Sequence, residues 1–259
     1  MDDARNRAKT HRTLTARYLG ARDIVASERT GVADTRLGMA LTFVAGAINA
    51  GGFLAVGQYT SHMSGILSAM ADHAALGAFD VVLFGLMAFL PFIIGAACSA
   101  MLINWGRRHH LGGLFALPLL LEALLLIAFG VLGWLAYPSA GFMRTAVPLL
   151  CFIMGLQNAT VTKISGARMR TTHVTGIVTD IGIELGKLFY WNRDKSVPPV
   201  MADRAKLRLL AALLVSFFIG GIVGAVGFNQ IGFLFALPFA FVLLILAGPA
   251  LLPDLAKRR

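Results

Sequence analysis

The chain has 259 residues, 57% hydrophobic and 14% charged, with a formal net charge of +10 and a mean hydropathy of +0.74. Soluble domains carry about 25% charged residues, so this composition excludes an ordinary soluble domain and reads as an all-α integral membrane protein. Its 18 phenylalanines come without the alternating apolar and polar residues of a β-barrel.

Residues 1–36 are polar and of mixed charge, include eight Lys/Arg, and contain no apolar core of a signal peptide. They read as a cytoplasmic basic tail able to touch anionic lipid heads. Six apolar runs follow, at roughly 37–56, 81–103, 113–135, 145–162, 208–228 and 231–252, each near the ~20 residues that cross a bilayer as helix. Between them, 57–80 and 163–190 are less uniformly apolar. With six spans and the N-terminus inside, the inner segments hold the tail, Arg107, Arg108, the stretch from Lys163 to Arg208, and Lys257-Arg258-Arg259. Only Arg144 is left outside. That is the bias the positive-inside rule requires, and it places both termini in the cytoplasm of a bacterial inner membrane protein. The basic charge is then topological, and no nucleic-acid partner is expected. Cys98 and Cys151 fall inside apolar runs and read as unpaired buried thiols.

The chain writes one polar phrase twice. Thr60-Ser61-His62-Met63-Ser64-Gly65 returns as Thr171-Thr172-His173-Val174-Thr175-Gly176. Other landmarks recur in the same order. Gly46-Ala47-Ile48-Asn49-Ala50 matches Gly155-Leu156-Gln157-Asn158-Ala159, Pro91-Phe92-Ile93-Ile94-Gly95 matches Ser216-Phe217-Phe218-Ile219-Gly220, and Leu114-Phe115-Ala116-Leu117-Pro118 recurs as Leu234-Phe235-Ala236-Leu237-Pro238. This order implies a duplication, with repeat 1 over 37–135 and repeat 2 over 136–259. Three spans in each half, an odd number, turn the second half upside down. Inverted repeats of this kind mark secondary transporters, with the solute site near the midplane between them.

Each phrase stretch reads as a re-entrant or broken half-helix. Residues 57–62, extended at about 3.3 Å each, reach roughly 20 Å into the membrane, and a helix over about 63–77 returns by roughly 22 Å at 1.5 Å per residue. The Ser and Thr residues then cap the start of each half-helix, where the helix dipole favours an anion. The competing reading is a pair of amphipathic helices on opposite membrane surfaces, with the polar residues serving only as caps.

The expected solute-contacting set is Asn49, Thr60, Ser61, His62, Ser64, Gly65, Gln157, Asn158, Thr172, His173, Thr175 and Gly176. His62 and His173 are repeat equivalents, and two readings stand for them: solute contact or proton coupling, and hydrogen-bonded packing. Asn49 and Asn158 are equivalent amides within spans; they line the cavity or join helices. Glu122 is the only acid deep in a span, with Val242 as its repeat counterpart, and is a candidate proton carrier or half of a structural ion pair with a helix-end arginine. Asp180 and Glu184, one turn apart with Lys187 following, read as a solvated face, with Asp180 the second candidate for proton coupling. Gly95 with Ser99, and Gly220 with Gly224, are spaced for close helix packing. Ligand spacing for a metal is missing, as are the serine-hydrolase elbow, the zinc-protease motif and the phosphate loop. No metal, cofactor or enzymatic activity is expected.

The run from Gly46 to Gly65, with Gly155-Leu156-Gln157-Asn158-Ala159 and Thr171-Thr172-His173-Val174-Thr175-Gly176, resembles the YoaK-like family of bacterial inner-membrane proteins, grouped as a domain of unknown function. The resemblance covers nearly everything after residue 36 and implies a multi-pass membrane protein. Two departures stand out: Asn49 where the family usually carries Asp, and Ser64-Gly65-Ile66 where Thr-Gly-Asn is usual. The first removes a charge from the expected cavity.

These features together lead to the expectation of a secondary transporter or facilitator of a small anionic solute, working by alternating access between the repeats. The rival expectation is a non-transporting membrane scaffold or partner subunit acting through the basic tail. A homodimer is compatible with either.

Overall fold

The computed structural model describes residues 31–165, 172–193 and 196–256. Most of the tail expected over 1–36 lies outside the described residues, as do Thr171 and Lys257-Arg258-Arg259. Among the described residues the chain is helical, with no strand. The helices are α1 (Gly31–Val56), α2 (Met63–Ala75), α3 (Phe79–Arg108), α4 (Ala116–Ala136), α5 (Ala140–Ile164), α6 (Val174–Leu188), α7 (Arg204–Ile231) and α8 (Ala236–Ala256), with a 3-10 turn at Phe233–Phe235.

Long apolar runs become helices because hydrocarbon offers no partner for backbone N–H and C=O groups, so each segment must satisfy its own. Five of these helices, α1, α3, α4, α5 and α7, are long and apolar enough to cross a membrane. The sixth expected run, 231–252, is built differently. Gly232, at φ +79°, breaks the chain after α7, the 3-10 turn follows, and α8 then runs from Ala236 to Ala256. Both α4 and α8 begin at the alanine of the repeated Leu-Phe-Ala-Leu-Pro, at Ala116 and Ala236. Pro118 and Pro238 thus fall in first turns, where no N–H is needed for the ladder.

The packing pairs first-half helices with second-half helices. The chief partners are α1 with α7, α3 with α5, and α4 with α8, while α2 lies on α3 and α6 lies on α7. The crossings are made by glycine. A Cβ on Gly46 would strike the carbonyl of Phe217, and one on Gly220 would strike the carbonyl of Phe43. In the other crossing Gly155 meets the Phe92 carbonyl and Gly95 meets the Phe152 carbonyl. Phe43 and Phe152, like Phe92 and Phe217, hold matching positions in the duplicated sequence, so one reciprocal contact has been built twice. Such backbone approach is how helices associate in lipid, where apolar burial alone provides little drive. Ser99 hydrogen-bonds with Thr160 at 2.8 Å; its counterpart Gly224 instead packs against the Ala47 backbone.

α5 is the central element, the most enclosed of the five long helices, whereas α3 is the most exposed. Leu150, Ile153 and Met154 of α5 join Leu119, Ala123 and Leu126 of α4, and Leu41 and Ile48 of α1, in one fully enclosed core. Phe129 sits beside Phe142, Phe228 and Phe233 at ring separations of 5.5 to 6.3 Å. Outward, α3 presents Leu83, Leu90, Ile94 and Met101, and α7 presents Val215, Phe218 and Ile222, all exposed. These apolar flanks suit hydrocarbon and not water.

Candidate functional site

Both copies of the phrase stand between a span and a short helix. After α1 ends at Val56, Gly57 adopts φ +73° and the chain stays non-helical until Met63. Ser61 Oγ donates to Asn49 Oδ1 at 2.8 Å. In the second copy Thr172 Oγ1 donates to Asn158 Oδ1, also at 2.8 Å. Asn158 is held in turn by its Nδ2, which donates to the Met154 carbonyl at 2.8 Å. Each asparagine thus ties the incoming phrase back to the span before it.

Capping differs from expectation. The N-cap residues are His62 for α2 and His173 for α6, and neither makes a side-chain cap bond. Ser61 and Thr172 fall one position too early to reach the first helical amides, and their hydroxyls go to the asparagines. The first intrahelical bonds are Ile66 N–H to the His62 carbonyl and Ile177 N–H to the His173 carbonyl. The amides of Met63, Ser64 and Gly65, and of Val174, Thr175 and Gly176, precede those ladders, so each start keeps the positive end of its dipole.

The two starts border one cavity of about 290 Å³, lined by Asn49, Tyr59, Ser61, His62, Thr172, Val174, Thr175 and Phe217. This corresponds to room for about ten waters at their liquid volume. None of these lining residues is a lysine, arginine, aspartate or glutamate. Hydrogen-bonding capacity comes from the Asn49 amide, hydroxyls on Tyr59, Ser61, Thr172 and Thr175, and the His62 imidazole. Tyr59 stacks on Phe53 with ring centroids 4.4 Å apart.

Five of the twelve expected solute-contacting residues line this cavity: Asn49, Ser61, His62, Thr172 and Thr175. The others lie elsewhere. Thr60 is fully buried, and its hydroxyl has no partner among the described residues. The His62 ring lies where a Cβ on Gly65 would go, whereas nothing lies near such an atom on Gly176. Ser64 and His173 are exposed outside the lining, and Asn158 acts behind it through Thr172. Gln157 points into the core, where its Nε2 donates to Glu122 Oε1 at 2.7 Å. Both side chains are buried, and Glu122 Oε2 and Gln157 Oε1 have no partner among the described residues. The partner of Glu122 is thus an amide rather than the arginine of a structural ion pair, and Glu122 does not reach the cavity.

Asp180 is half exposed and lies 3.6 Å from Lys206 Nζ, away from the cavity. The solvated-face reading fails for its neighbour Glu184, whose side chain is 2% exposed. Glu184 takes Lys187 Nζ at 2.9 Å and the Asp203 N–H at 2.8 Å. The hydrogen bond from Lys187 holds its carboxyl below the usual range, helped by the Asp203 N–H and the nearby Lys206 charge. Its burial comes from the start of α7, which helical spacing on α6 alone cannot reveal.

Three lining residues escape the sequence reading. Tyr59 directly precedes the phrase, Phe217 lies in a repeated landmark and Val174 lies inside the second copy of the phrase, so position could have flagged all three; the apolar Phe217 and Val174 offer no polar group to single them out. Among the described residues no three His, Cys, Asp or Glu side chains gather to hold a metal. Cys98 and Cys151 are free thiols.

The described residues, helical throughout their regular structure and with five membrane-length apolar helices among them, have the build of a multi-pass membrane protein. The chain belongs to the family described as protein of unknown function (DUF1275), which matches residues 37–248; the YoaK-like resemblance agrees with this. No curated protein and no solved structure matches the chain.

Proposed function

We propose that the protein is a secondary transporter or facilitator of a small anionic solute, bound in the cavity between the starts of α2 and α6. One observation carries the reading: the two copies of the phrase, far apart in sequence, line the same cavity. Two uncapped helix starts attract negative charge, while hydroxyl, amide and imidazole donors provide direct contacts. Without a lysine or arginine in the lining, binding is moderate and reversible, as a carrier requires.

In this reading α8 is the sixth span. Two inverted three-span halves are related through the twin glycine crossings, with α2 and α6 as their re-entrant half-helices. Both termini face the cytoplasm of a bacterial inner membrane. Alternating access arises as one half rocks against the other about the cavity. Glu122 is the proton-coupling group; it communicates with the site through Gln157, whose chain neighbour Asn158 anchors Thr172. Asp180 is a secondary coupling candidate through its pairing with Lys206.

The test is uptake by the purified full chain in proteoliposomes, using a panel of labelled organic and inorganic anions, with and without a pH gradient. Saturable uptake of one anion, at least tenfold weaker in His62→Ala and Thr172→Val, supports the reading; tenfold corresponds to about 1.4 kcal/mol. If no anion moves and none raises the thermal midpoint, the reading fails. Loss of the pH-gradient dependence in Glu122→Gln, with binding retained, identifies the coupling group.

A further inference from the structure

A second concavity lies where α6 ends and α7 begins, at the opposite end of α6 from the second phrase. It measures about 480 Å³ and is lined by Leu188, Arg204, Leu207 and Arg208. Charge is unevenly satisfied around it. Lys187 is taken by Glu184 at 2.9 Å, and Lys206 lies 3.6 Å from Asp180 and 3.9 Å from Glu184. Arg204 and Arg208 are exposed, and neither meets a carboxylate among the described residues. They stand one turn apart on the same helix face, with Arg208 Nε donating to the Arg204 carbonyl at 3.2 Å. The nearby Asp203 is occupied, accepting from the amides of Ala205 and Lys206. Directly after α6 come Phe189, Tyr190 and Trp191, at 79%, 59% and 84% exposure. Tyrosine and tryptophan in this setting sit at the headgroup level of a membrane.

We propose that this groove binds an anionic phospholipid. The phosphate accepts from the guanidinium groups of Arg204 and Arg208, which suit bidentate contact with phosphate oxygens. An acyl chain lies on Leu188 and Leu207. The apolar floor decides between sources of phosphate, because a free anion gains nothing from two leucines. A lipid here joins the end of α6 to the start of α7, while the other end of α6 borders the solute cavity. The inference needs only a membrane environment, so it stands or falls separately from transport.

The experiment is thermal unfolding of the full chain in neutral detergent with phosphatidylglycerol, phosphatidylcholine of the same acyl chains, or inorganic phosphate added. Phosphatidylglycerol is expected to raise the midpoint saturably. Its apparent affinity should fall about fivefold in Arg204→Gln or Arg208→Gln, and about thirtyfold in the double variant, from the usual contribution of a basic residue near an anionic headgroup. An equal rise with phosphatidylcholine overturns the proposal in favour of chain adsorption, and an equal rise with inorganic phosphate in favour of a free-anion site. An undiminished response of the double variant also overturns it. Quenching gives a second readout that does not depend on the arginine variants folding. In a W105F/W134F chain, brominated phosphatidylglycerol should quench Trp191 and brominated phosphatidylcholine should not; quenching by neither, or by both equally, counts against the site.

Discussion

The two junctions that follow the repeated phrase are alike at one end and unlike at the other. At the phrase, a hydroxyl bonds an asparagine Oδ1 at 2.8 Å in each half, and a histidine opens the short helix without capping it. At the far end of α2 the chain turns into α3 within Leu76–Ala78, using Gly77 at φ +75° and a bond from Ala78 N–H to the His73 carbonyl at 2.8 Å. At the far end of α6, residues 189–203 intervene before α7. There the amide of Asp203, which holds the N-cap place of Ala78, goes to the side chain of Glu184, the repeat counterpart of His73. The first junction is fixed by a short turn and backbone bonds, which pH and salt hardly touch. The second is fixed by a carboxylate with two lysines around it. The two copies of the phrase thus share one geometry at the cavity, while the bracing behind them is a backbone turn in one case and a carboxylate with two lysines in the other.

The largest effects should test whether the halves share a scaffold. Gly46→Val and Gly155→Val each drive a side chain into a phenylalanine carbonyl. Overpacking of this kind costs about 1–3 kcal/mol, and more where backbone must move. Both variants should give little folded protein by size-exclusion chromatography and a much lower thermal midpoint. Gly182→Ala, with open space around its Cβ, should behave as wild type. A mild result at one crossing and a severe one at the other would break the equivalence.

Glu184→Gln tests the difference between the junctions. It should lower the unfolding midpoint by a few degrees, while His73→Gln leaves it unchanged. Because the folded carboxyl sits below its ordinary value of 4.5, its stabilising contribution is fully present above that value. It is lost as pH falls through the lower folded-state value. The gap between wild type and Glu184→Gln should therefore be widest near neutrality and close in acid. A gap that widened on acidification would refute the assigned role.

Much of this architecture was legible because it depends on local pattern. Apolar run length marks α1, α3, α4, α5 and α7, and the twin Gly95 and Gly220 announce close crossings. The duplicated phrase pointed to the cavity through residues such as Ser61 and Thr172. What escaped depends on which distant groups meet. Gln157 looked like a lining residue beside Asn158, yet a neighbour on a helix is turned by about 100°, and that turn delivers it to Glu122 in the core. Glu184 had the spacing of a solvated face until the Asp203 amide arrived from the next helix. Ser61 and Thr172 looked like caps because capping is their usual task, but the asparagines compete for the same hydroxyls from one span back.

The asparagines give a smaller and more selective comparison. Asn49 lines the cavity, while Asn158 is buried behind it. Asn49→Ala should weaken solute binding about tenfold, near 1.4 kcal/mol, with little change in midpoint. Asn158→Ala also removes a bond to Met154 and should cost about 1 kcal/mol of stability, read by thermal unfolding, with a secondary loss of binding as Thr172 loosens. Identical profiles from the two variants would mean that both asparagines are only helix glue.

The smallest expected effect isolates His62. Gly65→Ala places a methyl where the imidazole now lies, whereas Gly176→Ala meets nothing. A ring at the end of a side chain can swing away, so both variants should keep their stability within about 0.5 kcal/mol. They should separate in binding: Gly65→Ala should lose affinity a few-fold by displacing the imidazole from the cavity, and Gly176→Ala should not. Adding Gly65→Ala to a His62→Ala chain should then cost nothing more, because the group it displaces is already gone. If it still weakens binding there, the glycine acts through the backbone at the start of α2, and His62 is not the contact that its place in the lining implies.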